Sequence, residues 1–172
     1  MDRGGERPPK SSRLNGVELM QSRVLVTGGS GFIGSHICDR LVEMGHDVVC
    51  VDNLITSEIE NIEHLIENDR FQFIEADLRN IEIISDVVEG CSHICHQAAL
   101  GSVPRSVVDP IRTNEINLVG GLNLLVCSQK SKISRFVFAS SSSVYGDDPD
   151  LPKVEDRLGT PMSPYAVSKL SF

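Results

Sequence analysis

The sequence predicts a doubly wound α/β fold, a parallel sheet with helices on both faces, from three observations. Short apolar strands alternate with helical stretches, a glycine-spaced turn joins the first of those strands to the first helix, and an acid closes the second strand. Val24-Leu25-Val26 is the first apolar strand, followed by a helical stretch with Ile33, Ile37 and Leu41 four apart, which Gly45 stops. A second strand runs from Asp47 to Val51, a helix from Glu58 to about Asn68, a third strand from Phe71 to Glu75, and a helix from Ile81 to Val88. Ile94 to His96 reads as the fourth strand. A longer helix carrying Ile116, Val119, Leu122 and Val126 comes next, then a strand from Arg135 to Ser140, a Pro-rich loop and a helix starting near Pro164. Residues 1–21, rich in Gly, Pro, Ser and charge, show no periodicity and read as a disordered extension, which leaves 22–172 as the folded unit. Met20, directly before the first strand, is an alternative start.

With 172 residues, 40% of them hydrophobic, the chain can bury one core but is small for a two-domain enzyme. Sixteen basic against twenty-four acidic residues give a net charge of -8 with no basic cluster, which argues against a nucleic-acid partner. No apolar run approaches the roughly 20 residues of a membrane span, and the start lacks the apolar block of a signal peptide. These features lead us to expect a cytoplasmic protein with no membrane partner. The five cysteines are odd in number and three sit inside apolar stretches, so a disulfide framework is not expected. Cys91-Ser92-His93-Ile94-Cys95-His96 places thiolates and imidazoles at short spacing, as a zinc site would. Its strand-like alternation and the absence of a second ligand pair argue against that, and no metal is expected.

Gly28, Gly31 and Gly34 stand at three-residue spacing between a strand and a helix. A tight turn, close approach of backbone to a pyrophosphate and close packing of helix on strand each require a missing side chain, and the helix N-terminus offers free N–H groups. Eighteen residues after Gly34, Asp52 ends the second strand, where a dinucleotide fold places the acid for the adenosine ribose hydroxyls. That acid favours NAD over NADP. Asp77-Leu78, after the third strand, are candidates for holding the adenine.

The glycine spacing, Asp52, Asp77-Leu78, His96-Gln97-Ala98-Ala99 and Tyr165-x-x-x-Lys169 together resemble, in order and register, the extended short-chain dehydrogenases of the NAD-dependent epimerase/dehydratase family, from about Arg23 to the last residue. The resemblance implies a Rossmann-type sheet that binds NAD. It also implies that Phe32 and Ile33 approach the pyrophosphate, that Asn53 joins Asp52 in holding the cofactor, that Gln97, Ala98 and Ala99 lie beside it, and that Asn117 supports it.

Tyr165 and Lys169 are four apart at the start of a helix, so both project from one face. Ionising an ordinary tyrosine at pH 7 costs about 4 kcal/mol, and a cation about 4 Å away contributes a comparable sum at an effective dielectric near 20. A lysine at that spacing can therefore turn a tyrosine into a usable base. The run Ser140-Ser141-Ser142-Ser143 follows an apolar strand, just outside its carboxyl end, where open parallel sheets bind ligands. By the resemblance Ser141, four before Tyr145, holds the catalytic hydroxyl, Tyr165 and Lys169 also contact the cofactor, and Ser142, Ser143 and Tyr165 meet the sugar.

Family members that eliminate or decarboxylate carry an acid just after the catalytic hydroxyl. Here Ser142 and Ser143 stand there, so the resemblance implies epimerisation of a UDP-sugar through transient oxidation at C4. The stretch from His96 to Pro110 is similar to that of UDP-N-acetylglucosamine 4-epimerases, with Gly101 and Ser102 bordering the sugar; UDP-glucuronate 4-epimerase is the nearest rival. Family members continue past Tyr165-Ala166-Val167-Ser168-Lys169 for a comparable length again, through later strands and a substrate domain that this chain lacks, and are usually homodimers. The expectations are a C-terminally truncated Rossmann domain, a fifth strand left as a bare edge, and either an inactive fragment of an epimerase or a non-catalytic NAD-binding module.

Overall fold

The computed structural model describes residues 12–14, 17–19 and 21–172. Ser12–Leu14 (β1) and Val17–Leu19 (β2) pair antiparallel, inside the segment expected to hold no element. The dipeptide between them, Asn15-Gly16, is the sequence signal for a two-residue hairpin, which apolar periodicity does not register. Residues 1–11 of the expected extension lie outside the described residues.

Arg23–Thr27 (β3), Asp47–Asp52 (β4), Phe71–Glu75 (β5), His93–His96 (β6) and Arg135–Phe138 (β7) form one parallel sheet in the order β5-β4-β3-β6-β7. The strands are short and rich in Val, Ile and Phe because both faces are covered, and the central ones are all but inaccessible. Alternation sends Val24, Val26, Val48 and Cys50 to one face, against Cys38 of the helix Phe32–Glu43 (α1) and against Ile62 and Leu65. Leu25, Val49, Val51 and Ile94 take the other face. There they meet Ile84 and Val88 of Ile81–Val88 (α2) and Leu124 and Cys127 of Gly120–Lys130 (α5). Each such side chain contributes roughly 1.5–3 kcal/mol by leaving water. The cysteine and histidine cluster is divided as well: Cys91, which precedes β6, lies in the second core, and Cys95, on β6, packs on the first.

Two helices differ from expectation. The segment from Glu58 to Asn68 is not an α-helix but two separate 3-10 turns, Ile59–Asn61 and Glu63–Leu65. Ile59, Ile62 and Leu65 recur every three residues, the 3-10 period, and Ile62 at φ -126 breaks the run between them. The helix expected to carry Ile116 to Val126 is interrupted by a π-helical turn, Glu115–Val119, before α5, and two short helices, Val103–Val108 (α3) and Pro110–Asn114 (α4), precede it. The π turn shifts the helical register, so α5 buries Gly120, Gly121, Leu124 and Cys127, while Leu122 is 53% exposed and Val119 and Val126 also reach solvent. The last helix, Pro164–Leu170 (α6), begins with Ser163 accepting a hydrogen bond from Ala166 N at 3.1 Å and Pro164 in its first turn.

Strand order reverses between β3 and β6, which opens a crevice at their carboxyl ends. β7 is the other sheet edge, with Val137 49% exposed on it. No helix among the described residues is long and apolar enough to cross a membrane.

Candidate active site

At the end of β3 the chain turns through Gly28 at φ +69, where a side chain would be strained and where a Cβ would stand 2.6 Å from Ala98 N. A Cβ on Gly34 would press into Gly28 O and stand 2.7 Å from Gly29 Cα, so α1 rests directly on the turn. Gly31, at the N-cap of α1, supplies no capping side chain and leaves the first-turn N–H groups for an anion. Phe32 and Ile33 are absent from the crevice lining, and their side chains are 79% and 61% exposed.

The crevice is lined by Gly28, Gly31, Asp52, Asn53, Asp77 and Leu78 on one side and by Gln97, Ala98 and Ala99 on the other, bringing together most of the expected cofactor residues. Asp52 is 8% exposed; its Oδ2 accepts from Ser30 N at 3.1 Å, and its Oδ1 accepts from Leu54 N at 3.0 Å and Ser57 Oγ at 2.8 Å. Asp77 accepts from Arg79 Nε at 2.9 Å, Arg79 Nη2 at 2.8 Å and Asn53 Nδ2 at 3.0 Å. The Arg79 guanidinium holds its carboxyl down at about 2, so it is ionised at any physiological pH. A glycine cradle that a Cβ would fill, a free helix start and a fixed acid at the neighbouring strand end all fit a dinucleotide. Sequence reasoning missed Ile55, Thr56, Ser57, Leu100 and Ile116 in this lining. The clue for Ser57 was its hydroxyl in a polar loop five residues past the acid.

Beneath the crevice, Thr27 Oγ1 lies 2.6 Å from His96 Nδ1 and accepts weakly from Ala98 N at 3.4 Å. The other ring nitrogen, Nε2, is buried with no hydrogen-bond partner among the described residues. His96 is 2% exposed and stacks on Phe138 at 5.5 Å between ring centroids. Burial, with a smaller contribution from the Lys169 charge, pushes its pKa down to about 3. Asn117 does not reach the crevice: it is buried within the π turn, accepts from Leu100 N at 2.7 Å and donates to Ser168 Oγ at 3.0 Å. It ties the loop after β6 to α6, while its neighbour Ile116 faces the crevice.

A second cavity opens beyond β7, lined by Ser140, Ser141, Ser142, Tyr145, Glu155 and Lys169 among others. Ser141 starts a 3-10 turn, Ser142–Tyr145, by accepting from Ser143 N at 3.2 Å. Lys169 is 5% exposed, donates from Nζ to Ala139 O at 2.8 Å and lies 4.5 Å over the Phe138 ring. Burial lowers its pKa to about 8, so at pH 7 it keeps its proton. Tyr165 is half-buried one turn earlier on α6, held by Ser168 Oγ donating to its carbonyl at 2.8 Å. The lining of this cavity does not include Ser143, Tyr165, Gly101 or Ser102. Gly101 and Ser102 are exposed at the start of α3, where Ser102 has φ +109, Arg105 N donates to its Oγ at 3.3 Å, and Arg105 Nη1 donates to Gly101 O at 3.1 Å. Glu155 and Tyr145 were not anticipated; both lie in or beside the Pro-rich loop, which shows no periodicity. Among the described residues no His, Cys, Asp or Glu side chains gather as a metal set.

Residues 24–172 match the sequence profile of the NAD dependent epimerase/dehydratase family. The putative UDP-glucose 4-epimerase of Methanocaldococcus jannaschii is 40% identical over 148 residues, 85% of this chain and 47% of that relative. Among solved structures, a UDP-N-acetylglucosamine 4-epimerase from Methanobrevibacter ruminantium, in complex with UDP-N-acetylmuramic acid, matches with a TM-score of 0.84 at 37% identity over 89% of this chain and 48% of that one. The Thermus thermophilus UDP-glucose 4-epimerase complex with NAD matches with a TM-score of 0.77 at 41% identity over 87% of this chain and 48% of that one. This chain spans about half the length of these relatives.

Proposed function

Because the chain belongs to the NAD-dependent epimerase/dehydratase family, we propose that it is the cofactor-binding half of a cytoplasmic UDP-sugar 4-epimerase of the N-acetylglucosamine/N-acetylgalactosamine type. The observation that carries this reading is Lys169, a buried cation fixed to Ala139 O at the end of β7, in one cavity with Ser141 and on the helix that bears Tyr165. A bound NAD supplies the acceptor, and later the donor, of the C4 hydride. The remaining work falls to side chains of this chain. Tyr165 takes the proton of the C4 hydroxyl, favoured by the nearby Lys169 charge, and Ser141 hydrogen-bonds the same sugar oxygen. When the 4-keto sugar turns over, so that the hydride is returned to the other face of C4 and Tyr165 gives its proton back to the C4 oxygen, the configuration at C4 inverts without net redox change.

The choice of epimerisation rests on Ser142 and Ser143 standing where eliminating relatives carry an acid. The choice of N-acetylhexosamine is supported by the similar stretch from His96 to Pro110 and by the Methanobrevibacter ruminantium enzyme among the structural neighbours. We further propose that the full-length protein is a homodimer, supported by the exposed apolar row Val107, Val108, Ile111 and Leu122 along α3 to α5.

Turnover requires a grip on the nucleotide and room for the keto-sugar to rotate, tasks for the half that relatives carry beyond this span. The isolated chain is expected to leave UDP-N-acetylglucosamine unchanged, below detection by chromatography after overnight incubation with NAD. Appearance of UDP-N-acetylgalactosamine would overturn the assignment of this chain as an inactive half.

A further inference from the structure

We infer that Ser57 is a positioning residue that sets the preference for NAD over its 2′-phosphorylated counterpart, by fixing the Asp52 carboxylate against the ribose. The inference rests on NAD as the cofactor and concerns a side chain with no place in the glycine motif or the catalytic set. Ser57 Oγ accepts from Ser30 Oγ at 3.0 Å, so its own proton is directed to Asp52 Oδ1 at 2.8 Å. Ser30 is fully buried and is held in turn by Asn61 Nδ2, which donates to Ser30 O at 2.8 Å. The chain from the first 3-10 turn to the carboxylate is therefore continuous: Asn61, Ser30, Ser57, Asp52.

The loop between the acid and the serine carries a cost that this arrangement explains. Leu54 sits at φ +55, a left-handed conformation unfavourable for a branched residue, and from there its N–H reaches Asp52 Oδ1 at 3.0 Å. The backbone then doubles back far enough to return Ser57 to the same oxygen. With Ser30 N on Oδ2, three of the carboxylate's roughly four acceptor positions are filled, leaving one for a ribose hydroxyl. A carboxylate pinned in this way cannot swing aside, so it accepts a hydroxyl and repels a phosphate on the same carbon. No Lys or Arg lines the crevice to compensate that repulsion.

Removing the Ser57 hydroxyl frees one oxygen to rotate. Affinity for NAD should fall, while the repulsion of the 2′-phosphate eases, so the two ligands respond differently. A loop that merely held the fold together would weaken both alike. The test is the dissociation constant of the folded chain for NAD and for NADP, by calorimetry, in the wild type and in Ser57→Ala, Ser57→Thr and Asp52→Asn backgrounds. Loss of a hydrogen bond to a charged group predicts that Ser57→Ala lowers the NAD/NADP affinity ratio about tenfold or more, with NADP binding held or improved. Ser57→Thr, which keeps the hydroxyl, should restore the ratio, and Ser57→Ala should leave the ratio unchanged when Asp52 is already Asn. Equal weakening of both ligands, or an unchanged ratio in Ser57→Ala, overturns the inference while leaving NAD binding intact. A folded wild-type chain that binds neither dinucleotide defeats the cofactor reading and the inference with it.

Discussion

Gly34→Ala is expected to abolish measurable NAD binding and to lower the unfolding free energy by roughly 1–3 kcal/mol, the usual cost of forcing a methyl group into a packed site. The added Cβ would be driven into Gly28 O and to 2.7 Å from Gly29 Cα, and both of those atoms are backbone. Neither can rotate out of the way as a side chain could. Relief requires α1 to lift from the turn, which moves its free N–H groups away from the crevice and loosens the contact of Cys38 with the sheet. The cofactor effect should therefore exceed the stability effect. Chemical denaturation and a binding titration on the same preparation separate the two, and a folded Gly34→Ala chain with wild-type NAD affinity would refute the role given to the turn.

Acid should destabilise this domain steeply below pH 6.5, and His96 should supply much of the slope. Its folded pKa of about 3 lies below the ordinary 6.5, so between those values the unfolded chain binds a proton that the folded chain refuses. Stability from this group is complete above pH 6.5 and is lost as pH falls towards 3, at about 1.4 kcal/mol per pH unit and about 5 kcal/mol over the window, as an order of magnitude. The Asn side chain in His96→Asn can still hydrogen-bond Thr27 but does not titrate. That variant should be less stable at pH 7, because it loses the ring contacts with Phe136, Phe138 and Phe172. Its stability should nevertheless fall less with acid, by about one proton's worth of slope. Equal slopes for variant and wild type in urea titrations from pH 7 to 4 would show that His96 protonates freely in the fold. Lys169 acts at the other end of the scale. With a folded pKa of about 8 against 10.5 unfolded, it makes stability rise as pH climbs between those values.

The sheet was legible in the sequence because β3 and β4 are runs of Val, Leu and Cys too apolar to be anything but buried, while β5, β6 and β7 carry apolar residues between turn or helix signals. Phe71–Glu75 and Ile81–Val88 appear with the bounds expected of them. Helical period was less informative. Ile59, Ile62 and Leu65 satisfy a three-residue repeat as well as a loose α pattern, and only packing against Phe71 and α1 decides between them. The π turn is invisible for a related reason: it is stabilised by what Asn117 meets on Leu100 and Ser168, contacts between segments that no local window contains.

The site divides along the same line. Gly28, Gly34, Asp52 and Asp77 are legible because a glycine-spaced turn and an acid at or just past a strand end are visible in the sequence itself. Ser57 was not, since a hydroxyl in a polar loop has no pattern until the loop is seen to fold back on Asp52. His96 was legible as part of a motif with neighbouring Gln97 and Ala98, yet its unpartnered Nε2 and its stacking on Phe138 follow only from the pairing of β6 with β7.

The proposed cofactor-binding half is expected to fold and to hold its dinucleotide without the rest of the enzyme. Native mass spectrometry of the purified chain, with and without added NAD, tests it most directly. The expected result is a folded chain carrying one NAD, releasable on denaturation and absent from Gly34→Ala. A chain that is folded by circular dichroism yet stays free of NAD at millimolar concentration would contradict it.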